Sequence, residues 1–91
     1  SLFAVEGLTP DEEAEQSALL AAVQDGIATV LTPHQREVLV ALALNGVPID
    51  VLAERRGSTR GALYKTLHDA RQKLRKHLAA SGFPLTALEE R

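Results

Sequence analysis

NGVPIDVLAERRGSTRGALYKTLHDARQKL, residues 45–74, is the stretch of the chain that decides its fold. It predicts a short helix, a tight turn and a long basic helix. Gly57 suits the turn because glycine readily takes the left-handed conformation that ends a helix. Ser58 is the expected N-cap of the second helix, since its hydroxyl can accept from an unpaired backbone N–H. Two helices joined by about three residues with a glycine form a helix-turn-helix.

The long basic helix has two different faces when its residues are placed at about 100° steps. One side is apolar and carries Leu63, Leu67, Ala70, Leu74 and Leu78. The opposite side is an outward line made of Gly61, Lys65, His68, Gln72 and Lys76. This line is flanked by Arg60, Tyr64, Arg71 and Arg75. Cations, polar donors and an aromatic ring are suited to contacts with phosphates and base edges in a DNA major groove. The alternative interpretation of this side is an ordinary helix face exposed to solvent.

Composition excludes several classes of protein. The 91 residues form one domain, and the absence of Cys excludes disulfides and thiolate metal sites. The three His residues are scattered, so no metal cluster is expected. No apolar run approaches the ~18 residues of a membrane span, and the first residues lack the basic and apolar segments of a signal peptide, so we expect a cytoplasmic protein. The chain has no Met and begins at Ser1, which predicts a domain cut from a longer protein.

The net charge of −2 hides a strong asymmetry along the chain. Residues 1–30 contain six acids and no Lys or Arg, which gives −6. Residues 31–80 contain nine Lys and Arg against four acids, which gives +5, and residues 81–91 contribute −1. Because the Debye length is about 8 Å at physiological salt, the local charge decides which partners a surface attracts. The basic stretch therefore favours nucleic acid.

Helix start and stop signals predict a compact all-α domain of four helices. Thr9, Pro10 and Glu12 form a capping box that begins the first helix. Thr32 and Pro33, with Gln35 three residues after the Thr, begin the second, which we expect over 36–44.

The third helix is expected over 49–56 after Pro48, and the fourth over 59–80, ended by Gly82. Residues 1–9 are then a lead-in, 10–80 the domain and 81–91 a tail. Apolar periodicity predicts a core of Leu20, Val23, Ile27, Val38, Leu39, Leu42, Leu52, Ala53, Leu63, Leu67 and Leu74. Gly26 lies inside the first helix, where glycine costs about 1 kcal/mol of helix stability relative to Ala. Its small size would also permit close packing of another helix.

Three segments together resemble region 4 of bacterial sigma-70 family sigma factors, especially the extracytoplasmic-function group. They are LTPHQREVL (31–39), NGVPIDVLA (45–53) and GSTRGALYKTLHDARQKLR (57–75). The resemblance covers about residues 10–80. It implies a domain that binds the −35 promoter element in duplex DNA through its last helix. It also implies docking on the β flap of the RNA polymerase core through the preceding helices.

Carried over by position, the resemblance implies DNA contacts by Arg60, Tyr64, Lys65, His68, Asp69 and Arg71. Arg75 lies further along the flank, where a phosphate contact is expected. Arg36 and Glu37 match the family's Arg-Glu pair, whose role here is a phosphate contact, a local ion pair or both. Gly61 matches the small residue that lets the helix start approach the DNA backbone.

The chain departs from the family pattern at three positions. Pro48 stands where a Ser or Thr cap is usual, so the third helix starts differently. Arg56 stands where an apolar residue usually precedes the turn glycine, and we expect its charged end to extend into solvent. Asp69 stands where a basic residue is common, which affects affinity and promoter sequence.

Three other interpretations were weighed against this one. An enzyme is not expected, because His68 and Asp69 point about 100° apart and no nucleophile motif, phosphate loop or metal spacing occurs. No cofactor or small-molecule substrate is expected either. A helix-turn-helix output domain of a dimeric response regulator or repressor is the main alternative. A pure interaction module held by an anti-sigma protein is also compatible with the sigma interpretation.

Overall fold

A computed structural model describes residues 7–83 of the chain, and this part is all-α. Helix α1 spans Pro10–Thr29, α2 spans Pro33–Leu39, α3 spans Ile49–Arg56 and α4 spans Arg60–Ala80. No strand occurs between residues 7 and 83. The predicted four-helix, all-α architecture is therefore confirmed. Most of the predicted lead-in and tail, residues 1–6 and 84–91, lies outside the described residues.

Both predicted capping boxes are present. The Thr9 hydroxyl accepts from the Glu12 N–H at 3.1 Å, and the Glu12 carboxylate accepts from the Thr9 N–H at 2.9 Å. Thr32 and Gln35 repeat this arrangement at 3.1 and 3.0 Å. Because Thr32 is the N-cap, α2 begins at Pro33. The prediction from the sequence was that this helix begins at Arg36.

The chain after α2 continues as a π-helical turn over Val40–Leu44. The Asn45 N–H donates to the Val40 carbonyl at 2.9 Å, five residues back, and the Val47 N–H donates to the Ala41 carbonyl at 2.9 Å. A π-helical turn is wider than an α-helical one, because its hydrogen bonds join residues five positions apart instead of four. The helical segment as a whole ends at Leu44, as predicted, but α2 itself ends at Leu39 and the last five residues are π-helical.

The turn between α3 and α4 consists of residues 57–59. Gly57 has φ of 62°, the left-handed conformation expected for it. The Ser58 N–H still donates to the Ala53 carbonyl of α3 at 2.9 Å, so this residue belongs to the end of α3. Thr59 is extended and its hydroxyl accepts from the Ala62 N–H at 3.1 Å. The prediction of Ser58 as the N-cap was therefore wrong by one residue, and α4 begins at Arg60.

The core lies around α4, which packs against α1, α2 and α3. The buried apolar side chains are Leu31, Val38, Leu39, Leu52, Ala53, Leu63, Leu67, Ala70 and Leu78. Val23, Ile27, Leu42 and Leu74, which were predicted in the core, are partly buried. Leu20 is 54 % exposed, so its assignment to the core was wrong. The inward face of α1 carries its neighbour Leu19, which is partly buried, together with Gly26 and Ile27. Leu31, in the link between α1 and α2, takes a core position instead.

Close packing of α1 on α4 depends on Gly26, the one buried residue of α1. A Cβ atom at this position would lie 2.8 Å from Cδ2 of Leu74 and 2.9 Å from Cδ2 of His77. Both distances are too short for a real Cβ contact, so the glycine allows α4 to approach the α1 backbone. The expectation that Gly26 permits close helix packing is confirmed.

Candidate nucleic-acid interface

The outward line of α4 is exposed along its length. Gly61, Lys65, His68, Gln72 and Lys76 are all exposed, while Leu63, Leu67, Ala70 and Leu78 on the opposite face are buried. The flanking Arg60, Tyr64 and Arg71 are exposed as well, and Arg75 is half-buried. The structure therefore brings seven of the eight predicted DNA-contacting residues, Asp69 among them, onto one surface of one helix.

Two carboxylates neutralise cations at the start of this surface. Asp69 Oδ2 lies 3.1 Å from Lys65 Nζ, one helical turn away on α4. Asp50 Oδ1 of α3 lies 3.3 Å from Arg60 Nε, across the turn. Sequence patterns do not reveal the role of Asp50, because it lies ten positions from its partner, on the other side of the turn.

Arg36, the remaining predicted residue, lies elsewhere. Its guanidinium donates to the carbonyls of Ile27, Ala28 and Leu31 at 2.8, 3.0 and 3.0 Å. The last turn of α1 has no basic residue of its own, so Arg36 supplies positive charge where helix carbonyls lack partners. The expected local ion pair of Arg36 is replaced by these bonds to backbone carbonyls, and Arg36 is not part of the outward surface.

A polar network joins α2, α3 and α4 behind the outward surface. Arg56 forms an ion pair with Glu37 and a 3.2 Å contact with Nδ1 of His34. His34 Nε2 in turn lies 3.5 Å from the Thr66 hydroxyl of α4. The Arg56 side chain is 34 % exposed and turns back along α2, so the expectation that its end extends into solvent was only partly right. Glu37 therefore pairs with Arg56 and not with its neighbour Arg36.

Polar side chains also tie the later turns of α4 in place. Lys73 Nζ donates to Gln35 Oε1 at 3.0 Å, and Arg75 Nη1 donates to Gln72 Oε1 at 3.4 Å. At the carboxyl-terminal end, His77 Nε2 lies 3.1 Å from Asp25 Oδ2 of α1. The contacts of Lys73 and His77 join α4 to α2 and α1, while the contact of Arg75 lies within α4.

The part of the molecule away from this surface offers a different chemistry. A groove of about 570 Å³ lies between the start of α1 and the end of α4, lined by apolar residues such as Leu19 and Phe83. Its charged lining residues are Glu12 and Glu15. Within residues 7–83 no group of three His, Asp or Glu side chains could hold a metal ion. In the same range no helix combines the length and apolar content that a membrane crossing requires.

Comparisons of the chain with models of protein families, with curated proteins and with solved structures find no match.

Proposed function

We propose that residues 10–80 form the −35-binding domain of a bacterial sigma factor of the extracytoplasmic-function type. In this proposal α3, the turn at 57–59 and α4 are a helix-turn-helix, and α4 enters the major groove of duplex promoter DNA. The observation that carries the proposal is the division of α4 into a buried face packed on three helices and an exposed outward line. Recognition in the major groove requires a helix that is anchored on one side and open on the other.

The charge of α4 supports the same proposal. The helix has six Lys and Arg residues against one acid, Asp69. Its pairs with Asp50 and Asp69 are exposed, and exposed ion pairs contribute only about 0–1 kcal/mol each. Phosphates can therefore replace these carboxylates as partners at low cost. A Cβ at Gly61 would meet no atom within 4 Å, which leaves room for a DNA backbone at the first turn.

The proposal includes a second partner, the β flap of the RNA polymerase core, because the resemblance implies it. Leu44 is 64 % exposed and Val51 is 38 % exposed, and both precede α4 in the chain. These apolar side chains are candidates for the polymerase contact. An anti-sigma protein would act by covering the same surfaces. A domain with these partners would work in the cytoplasm, where promoter DNA and RNA polymerase are found.

The first test is binding of the 91-residue chain to short duplexes at a series of salt concentrations. We expect weak binding that falls with salt, with a log–log slope of about −0.9 for each phosphate neutralised. Adding RNA polymerase core should strengthen binding, because the second contact raises the effective concentration of DNA. Binding that does not change between dilute and physiological salt would count against phosphate anchoring. A stable dimer on a palindromic site would favour the regulator or repressor instead.

The second test separates residues that distinguish bases from residues that only anchor. Lys65 lies on the outward line and can donate to guanine O6 or N7, so Lys65→Ala should cost about 1–3 kcal/mol on the best site and change preference at one or two positions. Arg75→Ala should weaken all sites alike and lower the salt slope by about one unit. A binding selection over randomised duplexes measures both. If both variants keep the wild-type preference, the assignment of Lys65 to base recognition is wrong.

A further inference from the structure

The single acid of α4 lies on the surface that is proposed to meet DNA. Asp69 is 43 % exposed and Lys65 is 75 % exposed, and their charged atoms are 3.1 Å apart. The two residues are four positions apart, so both side chains project from the same side of the helix. A donor and an acceptor therefore stand side by side, at hydrogen-bond distance, among cations.

An ionised carboxylate can only accept hydrogen bonds. In the major groove it is repelled by phosphates and by the acceptors of guanine and thymine, and the contact typical of Asp is the amino group of cytosine N4. Guanine presents O6 and N7 as acceptors to a lysine. A G·C base pair thus offers an acceptor and a donor next to each other, which is the complement of what Lys65 and Asp69 offer.

We propose that Lys65 and Asp69 together recognise one G·C base pair, with Lys65 donating to guanine and Asp69 accepting from cytosine N4. Asp69 is then a specificity-determining residue, and its charge also weakens binding to all other sequences. This inference rests on the proposed function, because it needs α4 to lie in the major groove. Asp69 would thus select the DNA site in two ways, by contacting the correct base and by repelling the acceptor groups of incorrect bases.

The experiment is a binding selection over randomised duplexes with the wild-type 91-residue chain and with Asp69→Asn. The substitution keeps the shape of the side chain, leaves only a neutral oxygen to accept from cytosine, and adds an NH2 group that can donate to the acceptors of other bases. We expect the preference for cytosine at one position to fall by about fivefold or more, since a matched base contact discriminates at that level. Affinity for random duplexes should rise, because one carboxylate no longer opposes the phosphates. Circular dichroism checks that the variant keeps its helices.

The matched control is Asp50→Asn, which makes the same chemical change and also releases a cation of α4, Arg60. It should raise affinity for random duplexes and leave base preferences as they are, because Asp50 belongs to α3. If Asp69→Asn keeps the wild-type preference, or changes it no more than Asp50→Asn does, the inference is overturned while the proposed function stands. A wild-type chain that binds no duplex overturns the proposed function and this inference with it.

Discussion

Leu63→Ala is expected to lower the free energy of unfolding by about 2–5 kcal/mol, the range found when a buried leucine is truncated. Leu63 is 0 % exposed and belongs to the core that α4 forms with α2 and α3. The substitution removes buried methyl groups and leaves a cavity that the surrounding helices fill only in part. Urea unfolding followed by circular dichroism measures the loss.

Leu20→Ala is the matched control for this prediction. It makes the same chemical change on α1, but Leu20 is 54 % exposed, so the unfolding free energy should change by no more than about 0.5 kcal/mol. The pair also tests the correction made to the sequence-based core. An equal loss of unfolding free energy in the two variants would show that Leu20 is buried, as the helical periodicity had predicted.

The second large effect is expected at Arg36. Arg36→Met keeps a long apolar stem but removes the charged donor from two carbonyls at the end of α1 and from the carbonyl of Leu31 in the link that follows. Hydrogen bonds to charged groups contribute more than neutral ones, and two of these three are partly buried, so we expect a loss of about 2–3 kcal/mol in urea unfolding.

Arg55→Met is the control for Arg36, because it makes the same change at an exposed position of α3. Its effect should stay within about 0.5 kcal/mol. If Arg36→Met costs no more than Arg55→Met, water replaces the guanidinium at these carbonyls, and Arg36 becomes available as a DNA contact after all.

Local signals in the sequence were sufficient for most of the fold. The capping boxes at Thr9 and Thr32, and the left-handed Gly57, depend on residues within three or four positions of each other, so short-range chemistry determines them. The two faces of α4 follow from helical periodicity alone, and the burial of Leu63 and Leu67 confirms the phase.

Features that depend on distant parts of the chain were not predictable in this way. Leu20 is exposed and its neighbour Leu19 is partly buried, so packing against the rest of the chain decides between two adjacent apolar residues. Leu31 is buried although it lies in the link after α1, where no helical periodicity applies. The partners of Arg36 are backbone carbonyls of α1 and of the link after it. Every residue has a backbone carbonyl, so a sequence pattern cannot identify the ones that Arg36 binds. The choice of Thr59 over Ser58 as the N-cap depends on how far the backbone of α3 continues through the turn.

The separation of the two faces of α4 has an evolutionary consequence. Substitutions at exposed helix positions usually change stability by about 0.5 kcal/mol or less, so Lys65, His68 and Gln72 can be exchanged without loosening the helix. A lineage could therefore acquire a new ligand preference one residue at a time, with every intermediate still folded. In this small domain, the chemistry of the exposed face of α4 and the stability of the fold can therefore change almost independently of each other.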